Sequence, residues 1–134
     1  MHFFISYKFT GEPYEELVHN IGIIENSLKN NGHSVYSSLE DEEWFQKNKP
    51  TNKEILDHTI QKMDESDVVL VFLNSSEKSE GVLIEIGYAI ARNKKIILLI
   101  KKGVEANYLK DIANAVIEFS SIQELEDLNV SAEI

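Results

Sequence analysis

Two segments of the chain, DVVLVFL (residues 67–73) and KIILLI (95–100), are apolar at nearly every consecutive position. A strand with one wetted face alternates polar and apolar side chains, and these do not alternate. Both must be covered above and below, as the central strands of a parallel sheet are. Any fold for this chain therefore needs helical layers on both faces of a sheet.

The remaining segments supply those layers. Residues 2–6 (HFFIS) read as a first strand, and Pro13 to Asn31 as an amphipathic helix with Leu17, Ile21, Ile24 and Leu28 on one side, stopped at Gly32. HSVYSS gives a second strand. LEDEEWFQKNKP (39–50) reads as an irregular acidic segment that folds back on the body through Trp44 and Phe45. Helical spacing returns from Thr51 to Glu65 through Ile55, Ile60 and Met63. After 67–73 come a loop, NSSEKSEG, a helix, VLIEIGYAIARN, and the strand 95–100. A loop with a short helix, a last strand AVIEFS (115–120) and a helical turn or two close the chain. Five strands alternating with helices imply a doubly wound α/β sandwich, for which the flavodoxin-like or Rossmann-like parallel order 2-1-3-4-5 is the commonest solution at this size. With 134 residues the expectation is one domain, 1–134.

Charge and composition narrow the function. Thirteen basic against twenty-three acidic residues leave a formal charge of −10, which opposes binding to a nucleic acid polymer. A small anion is still admissible, because helix N-termini and a few lysines can hold one phosphate. No apolar stretch approaches the roughly 20 residues that span a bilayer, so no membrane partner is expected. MHFFIS lacks the basic flank of a secretory signal. Cysteine is absent, which removes disulfides and thiolate metal sites and makes a cytoplasmic location the default expectation. His2, His19, His33 and His58 show no metal spacing and no triphosphate-type glycine loop occurs, so neither metal nor cofactor is expected.

In a 2-1-3-4-5 sheet the first crossover runs one way and the rest run the other, which opens a crevice beyond the carboxyl ends of strands one and three. Those ends are Ser6-Tyr7-Lys8-Phe9-Thr10-Gly11 and the loop Asn74 to Gly81. About one turn into the helix after that loop stands Glu85. Its neighbours at −4, −3, +3 and +4 are Gly81, Val82, Tyr88 and Ala89, so its face of the helix is small or apolar and offers no cation. An average glutamate on an amphipathic helix is solvated. This one is set where desolvation would raise its pKa and leave a reactive carboxylate, so a functional and a structural role stand about level on residue pattern alone.

The stretch from Ile55 to Ile100, with SDVVLVFL, a serine-containing loop and then EGVLIEIGYAIARNKKIILLI, resembles the nucleoside 2-deoxyribosyltransferases and the related 2'-deoxynucleoside 5'-phosphate N-hydrolases. FFISYKFTG resembles their first strand and binding loop. The resemblance implies cleavage of the bond between a (deoxy)ribose C1' and a nucleobase, with Glu85, in Glu85-Ile86-Gly87, as the nucleophile. The logic is that of retaining glycosidases: a carboxylate captures C1' in an oxocarbenium-like transition state, then water or a second base releases the sugar. Implied ligand contacts are Ser6, Tyr7, Lys8, Phe9, Thr10, Gly11, Ser79, Gly81 and Tyr88. The implied partner is a small-molecule nucleoside or nucleotide, and the implied assembly is a homodimer to which 107–114 contributes.

Several positions depart from that family's pattern. Thr59 stands where an Asp is frequent, Phe3 where the first strand carries a Tyr, and Leu83 where a Gly precedes the nucleophile by two. Ser79, six before Glu85, matches the phosphate-reading hydrolases, and Lys8, Thr10 and the amides near Gly81 would assist a 5'-phosphate. Ser79 serves equally as a helix N-cap. Phe9 could stack on a base or pack under its loop, and Trp44 with Phe45 could form a lid or an anchor. Two rivals stand beside this reading. FISY at 4–7 and the Ser79 to Glu85 spacing also suit a TIR-like domain that cleaves NAD, and the departures suit a nucleotide-sensing module without turnover. The pattern leaves base, sugar and acceptor open.

Overall fold

The computed structural model describes every residue, Met1–Ile134. Five strands, β1 (His2–Tyr7), β2 (Ser34–Tyr36), β3 (Val68–Leu73), β4 (Lys95–Lys101) and β5 (Ala115–Phe119), form one sheet in the order β2-β1-β3-β4-β5. All neighbouring pairs are parallel, with Ser6 beside Val71 and Tyr7 beside Phe72 in the β1–β3 register. The doubly wound order expected from the sequence is the one observed.

The helices are α1 (Tyr14–Asn30), α2 (Glu42–Asn48), α3 (Asn52–Asp64), α4 (Glu80–Ala91) and α5 (Asn107–Ile112). Strand periodicity divides the core between the two faces of the sheet. Phe3, Ile5, Tyr7, Val68, Leu70 and Phe72 pack toward α1 and the C-terminal 3-10 turns through Leu17, Ile21, Ile24 and Leu28. Phe4, Val69 and Val71 point the other way, onto Met63 of α3 and Val82, Ile86 and Ala89 of α4. Ser6, being two residues from Phe4, joins the α4 face. That parity fixes the site described below.

The helix starts follow ordinary capping chemistry. At α3 Thr51 Oγ1 accepts from the Glu54 amide (3.2 Å) while Glu54 Oε1 accepts from the Thr51 amide (3.0 Å). At α4 Ser79 Oγ accepts from the Val82 amide at 3.3 Å, so the N-cap role of Ser79 is realised.

One segment differs from expectation. Residues 39–50 are not irregular: a 3-10 turn, Ser38–Asp41, leads directly into α2. Glu42 and Glu43 at its first turn suit the helix dipole, and Lys49 closes it in the left-handed region at φ 45°. Asp41 ties the segment down, accepting from Tyr36 Oη (2.6 Å) and pairing with His58 Nε2 (2.8 Å). These anchors are tertiary, which is why local periodicity did not show the helix. No helix is long and apolar enough to cross a membrane.

Candidate active site

Because all strands are parallel, their carboxyl ends lie along one edge, and the first and second crossovers part there between β1 and β3. A cavity of about 430 Å³ opens at that point, within the range of roughly 300–1,000 Å³ usual for small-molecule sites. The ends of β1 (Tyr7, Lys8) and β3 (Phe72, Leu73), the loop 74–79, α1, the start of α4 and the segment 104–109 enclose it.

Glu85 and Ser6 are not themselves among the residues that line the cavity, but each has a neighbour that is. Val82, one turn earlier on α4, and Tyr7, the residue after Ser6 on β1, both line the cavity. Ser6, 1% exposed, donates from Oγ to Glu85 Oε1 at 2.6 Å. No lysine, arginine or histidine pairs with the carboxylate. Burial pushes its pKa up to about 7, against the opposing pull of the Ser6 hydroxyl. The group thus changes charge near neutral pH. It is a partly buried, singly hydrogen-bonded oxygen pair, the kind of carboxylate that can act as a nucleophile or a proton carrier.

Tyr7 supports the same wall. Its hydroxyl shares a 2.6 Å hydrogen bond with Ser38 Oγ. Burial above all, with repulsion from Glu42, Glu85 and Glu25, drives its pKa far above the usual phenol value, so it stays protonated at any physiological pH. Lys8 enters the cavity but is not free: Nζ donates to the Thr10 carbonyl (2.6 Å), and lies 3.3 Å from Glu12 and 3.2 Å from Glu77. Those carboxylates, Glu77 first, raise the pKa of Lys8.

Of the other residues expected at the site, Ser79 lines the cavity and the rest do not. Phe9 is 40% exposed and meets Tyr14 edge to face at 6.4 Å. Thr10 contributes its carbonyl to Lys8, and Gly11 supplies the left-handed turn (φ 81°) that carries the chain into α1. Gly81 is an exposed residue of the first turn of α4. Tyr88 requires a correction. It is three residues beyond Glu85 on a helix that runs back toward the amino ends of the strands, and its hydroxyl donates to Asp64 at 2.7 Å, at the α3 end remote from the crevice. Trp44 and Phe45 line a separate shallow depression with His58, where Phe45 packs edge-on against the imidazole, an anchoring contact. No three His, Cys, Asp or Glu side chains converge as a metal-binding group.

The sequence reading missed Asn20. This α1 residue lines the cavity and is 5% exposed. Its signal was present in the chain: Asn20 falls between Leu17 and Ile24 on the apolar stripe of α1, where a carboxamide has no packing reason to be.

Comparison with known proteins agrees with this fold. Residues 15–123 match the family model described as nucleoside 2-deoxyribosyltransferase. No curated protein sequence matches. Among solved structures, a 2-deoxyribosyltransferase from Bacillus psychrosaccharolyticus superposes with TM-score 0.72 at 17% identity, over 99% of this chain and 96% of its own. A CMP N-glycosidase from Clostridium botulinum gives 0.66 at 22% identity, over 92% and 93%. A conserved protein from Enterococcus faecalis V583 gives 0.58 at 16% identity, over 96% and 87%. At such identities the superpositions establish a shared fold. The family model spans most of the chain, and on that match the chain belongs to the nucleoside 2-deoxyribosyltransferase family.

Proposed function

We propose that the protein cleaves the N-glycosidic bond of a nucleoside or nucleoside 5'-monophosphate, with Glu85 as nucleophile at C1'. The observation that carries the proposal is the Glu85 carboxylate, under-hydrated and held by Ser6, one helical turn from Val82 in the lining of the cavity at the switch point of the sheet. Membership of the family supports the bond class.

In the reaction, a Glu85 oxygen forms a C–O bond to C1' as the C1'–N bond breaks, and the electron pair leaves with the base, which takes up a proton. Water, or a second base, then displaces the carboxylate from C1'. Water as acceptor gives hydrolysis and regenerates Glu85; a base as acceptor gives transfer. The Ser6 hydroxyl favours the ionised carboxylate and fixes which oxygen is free to attack.

The protein is further proposed to work as a homodimer. Leu83, Ile84 and Ile90 on the outer face of α4 are 46%, 53% and 49% exposed, and Tyr108 on α5 is 78% exposed. Leu83 and Tyr108 also line the cavity mouth. A second copy seated on this apolar face would remove it from water and close the site.

The test is a panel of ribo- and deoxyribonucleosides, their 5'-monophosphates and NAD, each with and without a second base, incubated with wild type and Glu85→Ala. Release or exchange of a base by wild type alone supports the proposal. Release of nicotinamide only would favour the NAD reading, and ligands bound with unchanged mass over hours would favour a sensing module.

A further inference from the structure

β2 is shorter than the strand beside it. Its three residues pair with His2, Phe3 and Phe4, so Ile5, Ser6 and Tyr7, the carboxyl end of β1, are paired only on the β3 side, with Leu70, Val71 and Phe72. This half of β1 carries Ser6, the hydrogen-bond donor to Glu85. On its open side a side-chain bond ties the strand end down: Tyr7 Oη and Ser38 Oγ are 2.6 Å apart.

Ser38 is a firm point of attachment. The residue before it, Ser37, is fully buried and donates to Glu25 of α1 at 2.8 Å. At the other end of the 3-10 turn, Asp41 accepts from Tyr36 Oη at 2.6 Å and lies 2.8 Å from His58 Nε2. Burial disfavours the Asp41 charge, yet the bonds from Tyr36 and His58 hold its pKa below the usual value, so it stays an acceptor for both. The helix that follows, α2, buries none of its residues, so the turn is secured by these contacts and by Leu39 against the core on the α1 side.

We propose that Ser38 is a positioning residue: by holding the Tyr7 hydroxyl it fixes the end of β1 and, one residue back, the hydroxyl of Ser6 against Glu85. The inference rests on the proposed function for the role of Glu85, and it deepens it.

Adjacent side chains on a strand stand on opposite faces, so Tyr7 on the α1 side and Ser6 on the α4 side move together when the strand end twists or slides. A 2.6 Å hydrogen bond is sensitive to such movement, because it weakens as the distance grows and the angle bends. Burial, which disfavours the Glu85 charge, and the Ser6 hydroxyl, which favours it, are the opposing influences on that carboxylate. The other titratable groups at the strand end are Tyr7 itself, which stays protonated, and Glu25 and Glu42 around its phenol. Loosening the strand end therefore has a definite sign: the Ser6 bond lengthens, the Glu85 carboxylate loses its donor and its pKa rises. A Ser38 that merely satisfied a buried phenol would leave the titration of Glu85 where it is.

The experiment follows the Glu85 side-chain carboxyl by 13C NMR from pH 4 to pH 9, its signal identified by its loss in Glu85→Gln. The full chain is compared as wild type, Ser38→Ala, Ser38→Thr, Tyr7→Phe and the double variant Tyr7→Phe/Ser38→Ala. Ser38→Ala and Tyr7→Phe should each raise the midpoint, and the double variant should raise it no further than either alone. Ser38→Thr, which keeps the hydroxyl, should return it to the wild-type position. With a cleaved nucleoside as substrate, the acid limb of kcat/KM should move in the same order, with a loss of roughly two- to fivefold at pH 7 that shrinks toward wild type at pH 9. Tyr7→Phe keeps the ring and its packing, so it reads the bond even if Ser38→Ala folds poorly. If wild type cleaves no nucleoside while the NMR midpoints shift as stated, the proposed function falls and the positioning of Ser6 against Glu85 by Ser38 stands. Midpoints that coincide in wild type, Ser38→Ala and Tyr7→Phe, additive shifts in the double variant, or an activity loss equal at pH 7 and pH 9 would overturn it.

Discussion

Ser6 Oγ and Glu85 Oε1 are 2.6 Å apart although the two residues are 79 positions apart in the chain. The hydroxyl stabilises the ionised form of a carboxylate that burial disfavours, so it lowers the pH at which the proposed nucleophile becomes available. Activity should therefore rise with pH to a plateau, with an acid-limb midpoint near the Glu85 pKa of about 7. Ser6→Ala should move that midpoint to higher pH and lower kcat/KM at pH 7 by several-fold to about tenfold, with partial recovery in alkaline buffer. A limb that stays in place in the variant would detach Ser6 from the titration.

Glu85→Gln should lower turnover by at least ~10³-fold, the order of loss expected when a nucleophile is removed. It should also alter stability in the opposite sense. The folded-state pKa of about 7 lies above the ordinary 4.5, so the native protein binds the extra proton between those values and the wild type loses stability as pH rises through that window. The penalty is absent below pH 4.5 and complete above pH 7, and is on the order of 3 kcal/mol. Denaturant unfolding at pH 4 and pH 8 should show wild type and Glu85→Gln nearly equal in acid and the variant more stable in base.

The outer face of α4 provides a third test. Ile84→Asp with Ile90→Asp places charges on the exposed apolar strip without touching the cavity lining. Sedimentation should show wild type as a dimer at micromolar concentration and the double variant as a monomer, with KM raised because the mouth beside Leu83 and Tyr108 is left open. A wild-type monomer at that concentration would remove the assembly from the proposal.

Tyr88→Phe separates placement from adjacency in sequence. The Tyr88 hydroxyl bonds Asp64 at the far end of α4, so kcat and KM should stay within about twofold of wild type and stability should fall by no more than about 1 kcal/mol. A large loss of activity would return Tyr88 to the site.

The segments that were legible were those whose burial repeats with a local period. VVLVFL and KIILLI announce central strands because a covered strand has no polar face, and the apolar stripe of α1 announces itself at helical spacing. The crossover rule then places the crevice. Glu85 was legible too, because a carboxylate among apolar neighbours is anomalous at the level of composition. Phe9, Thr10, Gly11 and Gly81 were implied as contacts by the resemblance of their segments to a binding loop and a helix start, and such a resemblance does not specify which way each side chain points.

By itself, then, the chain of residues determined the order and kind of the strands, the edge at which a ligand can enter and the carboxylate suspected of acting there, since each follows from local patterns and chirality. Tertiary structure alone decided that Ser6, by its parity with Phe4, faces α4 and meets Glu85, that Lys8 is already held by Glu12 and Glu77, and that Asn20 lines the cavity. Hydrogen bonding and desolvation depend on distances between segments remote along the chain, and only packing sets those distances.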